Sequence, residues 1–300
     1  MVSECINGLN IREDGVYLDG TAGGGGHAAE IAKRLTTGRL YCIDRDPDAV
    51  KATAKRLSGF ANVEVIEGNF KDARELLGEE INGLDGALLD LGVSSRQLDD
   101  AGRGFSYLND GPLDMRMSQC GVSAADIVNE YEERQITEIL YRYGEERFAP
   151  AISRKIVAAR QTMEINSTSN LAEIVASALP PAVRRRQKNP ARRTFMALRI
   201  ATNREWEAID EGLKEIFDLL KGGGRFCVIT FHSLEDRLVK RFFAKLSTAC
   251  DCPPDFPVCV CGGKAQAKLV TKKALTPCER EIVDNRRSRS AKLRIAEKTA

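Results

Sequence analysis

The stretch from Val16 to His27, V-Y-L-D-G-T-A-G-G-G-G-H, constrains this chain more than any other. A short apolar run ends in an acid, Asp19, and passes directly into glycines and a helical pattern from Ala28 to Leu35. A strand, a glycine turn and a helix in that order make the opening unit of a parallel α/β sheet. The pattern then repeats. Arg39 to Asp44 reads as a second strand, and Pro47 opens a helix to about Leu57, since proline suits a first helical turn. Val63 to Glu67 reads as a third strand. Leu84 to Leu91 reads as a fourth, apolar on both faces as a strand inside a parallel sheet should be.

The alternation stops at about Ser95. Helical periodicity covers Ala124–Tyr143, Ala149–Met163, Leu171–Leu179 and Phe195–Trp206, with Pro180-Pro181 ending the third. The α/β pattern resumes with a helix at Glu205–Leu220, a glycine turn at Gly222–Gly224 and a strand at Arg225–Phe231. A helix at Leu234–Leu246 follows, then a long irregular stretch and a last strand at Ala291–Ala296. We therefore expect an α/β domain interrupted by an all-α insertion. Residues 1–100 form the first part of the core, residues 101–204 the insertion, and residues 205–300 the second part of the core.

Composition narrows the class. The chain is 43% hydrophobic and 29% charged, which fills a core and argues against wholesale disorder. Its longest apolar runs, such as Ile174–Leu179, are too short to span a bilayer. The mixed N-terminal segment, with Glu4 and Arg12, does not read as a signal peptide. Nine cysteines in a large charged chain suggest reduced thiols and a cytoplasmic location. The net charge of +2 hides strong segregation. Residues 182–204 carry a net +8 and residues 221–300 a net +9, against −10 over residues 1–181 and −5 over residues 205–220. Two basic segments suggest a face that meets a polyanion, although a merely solvated charged surface would give the same pattern.

Ligands of open α/β sheets bind beyond the carboxyl ends of the strands. Asp19, Asp44 and Asp90 end the first, second and fourth strands. Gly23, Gly25 and Ala28 fit the dinucleotide pattern G-x-G-x-x-A, and Asp44 lies 21 residues beyond Gly23, so a nicotinamide cofactor has to be weighed. The additional acids at Asp19 and Asp90 favour S-adenosyl-L-methionine instead. Each acid also has a plainer reading: Asp44 could cap the following helix and Asp90 a turn.

Further motifs carry a family resemblance. They are Y-L-D-G-T-A-G-G-G-G-H, I-D-R-D-P-D-A, L-L-D-L-G-V-S-S-R-Q-L-D and R-G-F-S-Y-L-N-D-G-P-L-D-M-R-M, followed by Y-G-E-E-R-F-A, R-R-T-F-M-A-L-R-I, F-H-S-L-E-D-R-L-V-K-R-F and N-R-R-S-R-S-A-K-L-R-I-A-E. They run in order from about Val16 to the C-terminus, and together they resemble the bacterial 16S ribosomal RNA cytosine-N4 methyltransferase (MraW) family. The resemblance implies a class I methyltransferase fold, Rossmann-like with a mostly parallel sheet, and S-adenosyl-L-methionine as methyl donor. It implies cofactor contacts at Gly25, Gly26, His27, Asp44, Phe70, Asp90 and Gln97, with Phe70 packing on the adenine. Without the resemblance, Phe70 would read as an ordinary core aromatic. The implied acceptor is the exocyclic N4 of a decoding-centre cytidine in 16S rRNA of the small ribosomal subunit, with no membrane partner.

Family members begin with a histidine-containing segment before a V-L-L-x-E-like run. This chain begins at Met1-Val2-Ser3-Glu4, inside that run, so loss of the earlier segment would leave one wall of the active site incomplete. Many amino-methyltransferases carry N/D-P-P-Y/F after strand four, where this chain has Asp90-Leu91-Gly92-Val93-Ser94. Asp90 is therefore a cofactor-positioning residue and also a catalytic candidate, together with His232 and Asp114. The Arg184–Arg186, Arg192-Arg193 and Arg286-Arg287 clusters read as phosphate contacts.

Three other readings stay open. They are a methyltransferase on another nucleic acid or small molecule, an RNA-binding assembly factor with a vestigial cofactor site, and a nicotinamide oxidoreductase. Cys250, Cys252, Cys259 and Cys261 could bind zinc, but C-x-C is tighter than the usual ligand spacing, and free thiols with no metal site are the default. The sequence does not decide between a monomer and a homodimer.

Overall fold

The computed structural model describes residues 1–78, 81–186, 189–249 and 263–299. The four cysteines weighed as zinc ligands lie outside these residues. The chain divides into two compact units, Met1–Gly92 with Trp206–Ala300, and Val93–Glu205.

The first unit is built on a seven-stranded sheet. Its strands are β1 (Val16–Asp19), β2 (Arg39–Asp44), β3 (Val63–Glu67), β4 (Leu84–Asp90), β5 (Leu220–Thr230), β6 (Ala267–Leu269) and β7 (Lys292–Lys298). Their order is β3-β2-β1-β4-β5-β7-β6, parallel from β3 to β5, with β7 antiparallel to both neighbours. This is the class I methyltransferase order. The strand order changes direction between β1 and β4, which opens a crevice beyond their carboxyl ends. The two faces bury separate cores. Leu18, Ile43, Leu89, Phe226 and Val228 pack with the Glu205–Leu219 and Ser233–Ser247 helices on one face. Tyr17, Leu40, Cys42, Leu88 and Cys227 pack with the Val2–Leu9 and Gly26–Ala32 helices on the other. Alternate residues of each strand thus serve opposite faces, which explains the near-continuous apolar sequence of β4.

Several elements differ from expectation. The Val2–Leu9 helix has too little length for a clear period, yet Cys5, Ile6, Gly8 and Leu9 are buried. A Cβ on Gly8 would stand 2.6 Å from Ile295 Cδ1, so the close approach of this helix to β7 requires glycine. The glycines expected as a turn before the fifth strand lie within β5. There the pairing with β4 jumps from Leu84↔Leu220 to Gly86↔Arg225, and Lys221–Gly224 bulge out. The irregular stretch after residue 263 contains the short strand β6 and a helix at Glu279–Asp284.

The second unit is helical around its own core, which includes Leu113, Met115, Ile127, Leu140, Ile152, Leu171, Phe195 and Leu198. The helix expected over Ala124–Tyr143 is two helices, Ala124–Glu130 and Glu133–Gly144. Tyr131 and Glu132 are extended between them, and the Gln135 side chain accepts the Glu132 amide at 2.9 Å to start the second. Glutamate is an uncommon N-cap, so this break left little trace in the sequence. Arg160 Nη1 donates to the carbonyls of Val128 (2.9 Å) and Tyr131 (2.7 Å), satisfying acceptors that the first helix leaves open. No helix of the described residues is long and apolar enough to cross a membrane.

Candidate active site

Three carboxylates stand side by side at the carboxyl ends of adjacent parallel strands: Asp44 on β2, Asp19 on β1 and Asp90 on β4. Backbone hydrogen bonds hold the glycine loop among them. Gly20 N donates to Leu88 O (2.9 Å) and Ala22 N to Ile43 O (3.0 Å), tying the loop to β4 and β2. Gly23 N donates to Asp44 Oδ2 at 2.7 Å, while Asp46 N donates to Asp44 Oδ1 at 2.9 Å. Thr53 Oγ1, from the Pro47–Leu57 helix, donates to Gly23 O at 3.0 Å. Gly25 caps the Gly26–Ala32 helix at φ +73°, a left-handed conformation that residues with a Cβ resist. A Cβ built on its neighbour Gly24 would meet nothing within 4 Å, so the loop keeps an open, side-chain-free wall.

The polar atoms of this crevice are unusually unsatisfied. Asp19 is 1% exposed. Its Oδ1 accepts the Thr21 amide at 3.2 Å, but its buried Oδ2 has no partner. Asp90 Oδ1 and His27 Nε2 are likewise buried without partners. Burial pushes the carboxyls of Asp19 and Asp90 each up to about 7, and that of Asp44 upward as well. Burial also lowers His27 to about 4, so its ring is neutral at ordinary pH. Its Nδ1 lies 3.6 Å from Asp90 Oδ2. Buried polar atoms are nearly always paired, so an acceptor row open on one side fits a ligand that brings donors and positive charge.

Sequence reasoning overlooked Thr21 and Glu235. Thr21 Oγ1 accepts the Asp90 amide at 2.5 Å and thereby couples the β1 loop to the end of β4. Glu235 is 1% exposed and accepts the amides of Phe231 (2.8 Å) and His232 (3.2 Å). The signal was present as a reciprocal cap: His232 begins the Ser233–Ser247 helix and Glu235 is its third residue. His232 Nδ1 accepts the Glu235 amide at 3.4 Å, and its Nε2 lies 2.8 Å from Glu235 Oε1. Both nitrogens therefore face this cap.

The other expected residues fall in different settings. Gly25 and Gly26 form the helix start described above. Phe70 opens a short 3₁₀ turn after β3 and lies against the backbone of Gly212, where a Cβ would stand 2.4 Å from the ring. Gln97 and Asp114 belong to the second unit. Gln97 is buried, and its Oε1 accepts the Ser94 amide at 2.9 Å in a capping box. Asp114 is gripped by Arg116 through Nε (3.1 Å) and Nη2 (2.6 Å) and by the Arg116 amide (2.8 Å).

The chain is 50% identical over 300 residues to "Ribosomal RNA small subunit methyltransferase H 2" of Agathobacter rectalis, covering 98% of this chain and 96% of that protein. It is also 50% identical over 301 residues to "Ribosomal RNA small subunit methyltransferase H" of Carboxydothermus hydrogenoformans, covering 99% and 96%. The Brevibacillus brevis protein of that name is 46% identical over 302 residues, covering 99% and 96%. S-adenosyl-L-methionine, a cation carrying an amino group and ribose hydroxyls, fits the open acceptors of Asp19, Asp90 and His27 and the side-chain-free glycine wall. The family model for the MraW methylase family matches residues 1–299, and the chain belongs to that family of S-adenosyl-L-methionine-dependent methyltransferases.

Proposed function

We propose that this protein transfers a methyl group from S-adenosyl-L-methionine to the exocyclic N4 of a decoding-centre cytidine in 16S rRNA of the small ribosomal subunit. The observation that carries the reading is the row Asp44, Asp19 and Asp90, with one unpartnered oxygen each on Asp19 and Asp90. The substrate class is that named for relatives that match along nearly their whole length.

Within the crevice, Asp44 receives the ribose hydroxyls while its backbone bonds keep the glycine loop in place. Gly25, Gly26 and His27 border the amino-acid end of the cofactor, Asp19 accepts its amino group, and Phe70 completes its contacts. When bound, the cofactor supplies an electrophilic methyl group on a sulfonium. The cytosine amine is a weak nucleophile, because its lone pair is delocalised into the ring. The protein must hold it in line at near-attack distance. It must also accept a hydrogen bond from the amine as positive charge develops there. The Asp90 carboxylate, half-buried at the end of β4, suits that task. His232 and Asp114 are the other catalytic candidates. Their nitrogens and oxygens face Glu235 and Arg116, which suits roles in shaping the protein around the substrate.

A cytosine in folded RNA has to leave its stack to be reached. Exposed arginines supply phosphate contacts: Arg184, Arg185 and Arg186 on the Pro181–Arg186 helix, Arg192 and Arg193 at the start of the Arg192–Asn203 helix, and Arg286 and Arg287 near the C-terminus. The helical unit thus carries much of the RNA recognition.

The test is transfer of labelled methyl to small subunits purified from cells lacking this activity, followed by nucleoside analysis. N4-methylcytidine is expected; label found only in another nucleoside would reject the cytosine-N4 assignment.

A further inference from the structure

The outward face of the Ser233–Ser247 helix is basic, and no part of the cofactor site uses it. We propose that this face is a phosphate track, which holds the backbone of an rRNA strand where that strand leaves the crevice. The inference deepens the rRNA-methyltransferase reading and rests on it. It assigns the α/β unit an RNA contact apart from Arg286 and Arg287.

Periodicity defines the track. The helix exposes Ser233, Arg237, Lys240, Arg241, Ala244 and Lys245, at steps of three and four residues that bring them onto one stripe. Four of these six are basic and none is acidic. Val239 and Phe243 fill the opposite face and pack into the core of the sheet.

The acids that could neutralise the stripe are engaged elsewhere. Glu235 is 1% exposed and accepts the Phe231 and His232 amides. Asp236 accepts Lys292 Nζ at 3.1 Å and Arg294 Nε at 2.8 Å. The acidic Glu205–Leu219 helix meets this one through Phe217 and Phe242, whose ring centroids are 6.2 Å apart. Its carboxylates serve other cations. Lys214 donates to Asp210 at 2.6 Å, Lys71 donates to Glu211 at 3.0 Å, and Arg74 Nε lies 3.6 Å from Glu215. Among the described residues no carboxylate pairs with Lys240, Arg241 or Lys245. Like charges on adjacent turns repel one another, and a polyanion relieves that repulsion.

Placement gives the track its direction. His232 caps the helix directly beyond the carboxyl end of β5. That strand is parallel to β4, with Ile229 level with Asp90, so the helix begins beside the crevice and runs away from it. From Arg237 to Lys245 the stripe covers about 12 Å, roughly the length of three or four stacked nucleotides. Flexible point charges of this kind follow a phosphate backbone without reading bases.

The test uses three variants of the full chain. One removes the track charges through Lys240→Gln, Arg241→Gln and Lys245→Gln together. One removes three charges on other helices of the same unit, through Lys51→Gln, Lys55→Gln and Lys214→Gln. One keeps the charge, through Lys240→Arg with Lys245→Arg. Affinity for unmodified small subunits is measured from about 50 to about 200 mM salt. Methyl-transfer kinetics and calorimetric affinity for S-adenosyl-L-methionine are measured alongside. For the track variant we expect subunit affinity to fall about tenfold, and the slope of log K against log salt to shrink by roughly two. Its KM for subunits should rise by a similar factor, with kcat and cofactor affinity within about twofold of wild type. The other two variants should keep the wild-type slope. The single exchange Lys240→Gln, which disturbs one exposed side chain, should shrink it by roughly 0.7. An unaltered slope in the track variant, an equal loss when the charges are removed elsewhere, or an arginine variant as weak as the glutamine one would overturn the proposal. Intact subunit binding with lost binding to phosphatidylserine vesicles would assign the face to a lipid surface and overturn it as well. Label found only outside N4-methylcytidine would overturn the cytosine-N4 reading, while the salt slopes would still decide the track.

Discussion

The two units treat their carboxylates in opposite ways. In the α/β unit Asp19 is buried and Asp44 and Asp90 are half-buried at strand ends, and desolvation drives all three carboxyls upward, two of them to about 7. In the helical unit the acids are tied down. Asp110 accepts the Ser169 amide, Asp126 sits in a reciprocal cap with Ser123, and Asp114 is clasped by Arg116. Burial raises the Asp114 carboxyl, but the Arg116 hydrogen bonds and charge outweigh it, and all three carboxyls fall below the ordinary range. Acids with all their partners inside the chain build structure. Acids left short of partners await a ligand, at a cost in stability.

The largest expected effect tests the strand-end acids. Asp44→Ala removes the proposed ribose acceptor and releases the Gly23 amide, so calorimetric affinity for S-adenosyl-L-methionine should fall more than about a hundredfold. Unchanged affinity would refute the assignment of Asp44. Asp114→Asn, in the tied set, should leave that affinity within about twofold, and a large loss would erase the contrast between the units.

Next in size is RNA binding by the helical unit. Replacing Arg184, Arg185 and Arg186 by glutamine should weaken affinity for single-stranded rRNA fragments about tenfold or more. The slope of log K against log salt should shrink by roughly two. An unaltered slope would remove this helix from the RNA surface.

The smallest effects concern stability, and they have opposite signs in the two units. Asp90 has a folded value near 7, above its unfolded one, so the folded state holds the extra proton between about pH 4 and pH 7. Stability therefore falls as pH rises through that window, and Asp90→Asn should melt a few degrees higher than wild type at pH ~8 but not at pH ~4. Asp114 has a depressed folded value. Its contribution is present above the unfolded value and is lost as pH falls through the folded one. Arg116→Ala should cost about 1–2 kcal/mol at neutral pH, the partial exposure of the pair holding the figure down. Melting curves that shift in the same direction for Asp90→Asn and Arg116→Ala at pH ~8 would contradict the comparison.

The sheet was largely legible because its period and punctuation are local. The ends of β2 and β3 fall where the apolar runs end, at Asp44 and Glu67. The break at Tyr131-Glu132 was not legible, because it depends on a Gln135 cap and on Arg160, which lies some thirty residues away in sequence. Nor was the environment of His232. A histidine after a strand looks like a crevice residue, and only the fold shows both its nitrogens turned to Glu235.

What the sequence determined by itself was the chemistry available: the glycine loop, the acids at three strand ends, the basic clusters and the interrupted α/β order. Residue type and spacing encode these directly, since strand and helix periods are properties of neighbouring residues. The tertiary structure alone decided which polar atoms were left without partners. Asp19, Asp90 and Asp114 carry the same side chain; Arg116 ties Asp114 from two residues away, but no neighbour in sequence marks the oxygens of Asp19 and Asp90 as open. That difference arises where distant segments meet: β4 is anchored through Thr21, His27 is brought up to Asp90, and Asn203 reaches back to hold the backbone of Met115 and Met117 beside Asp114. Hydrogen bonding and desolvation act through space, and the packed chain sets those distances.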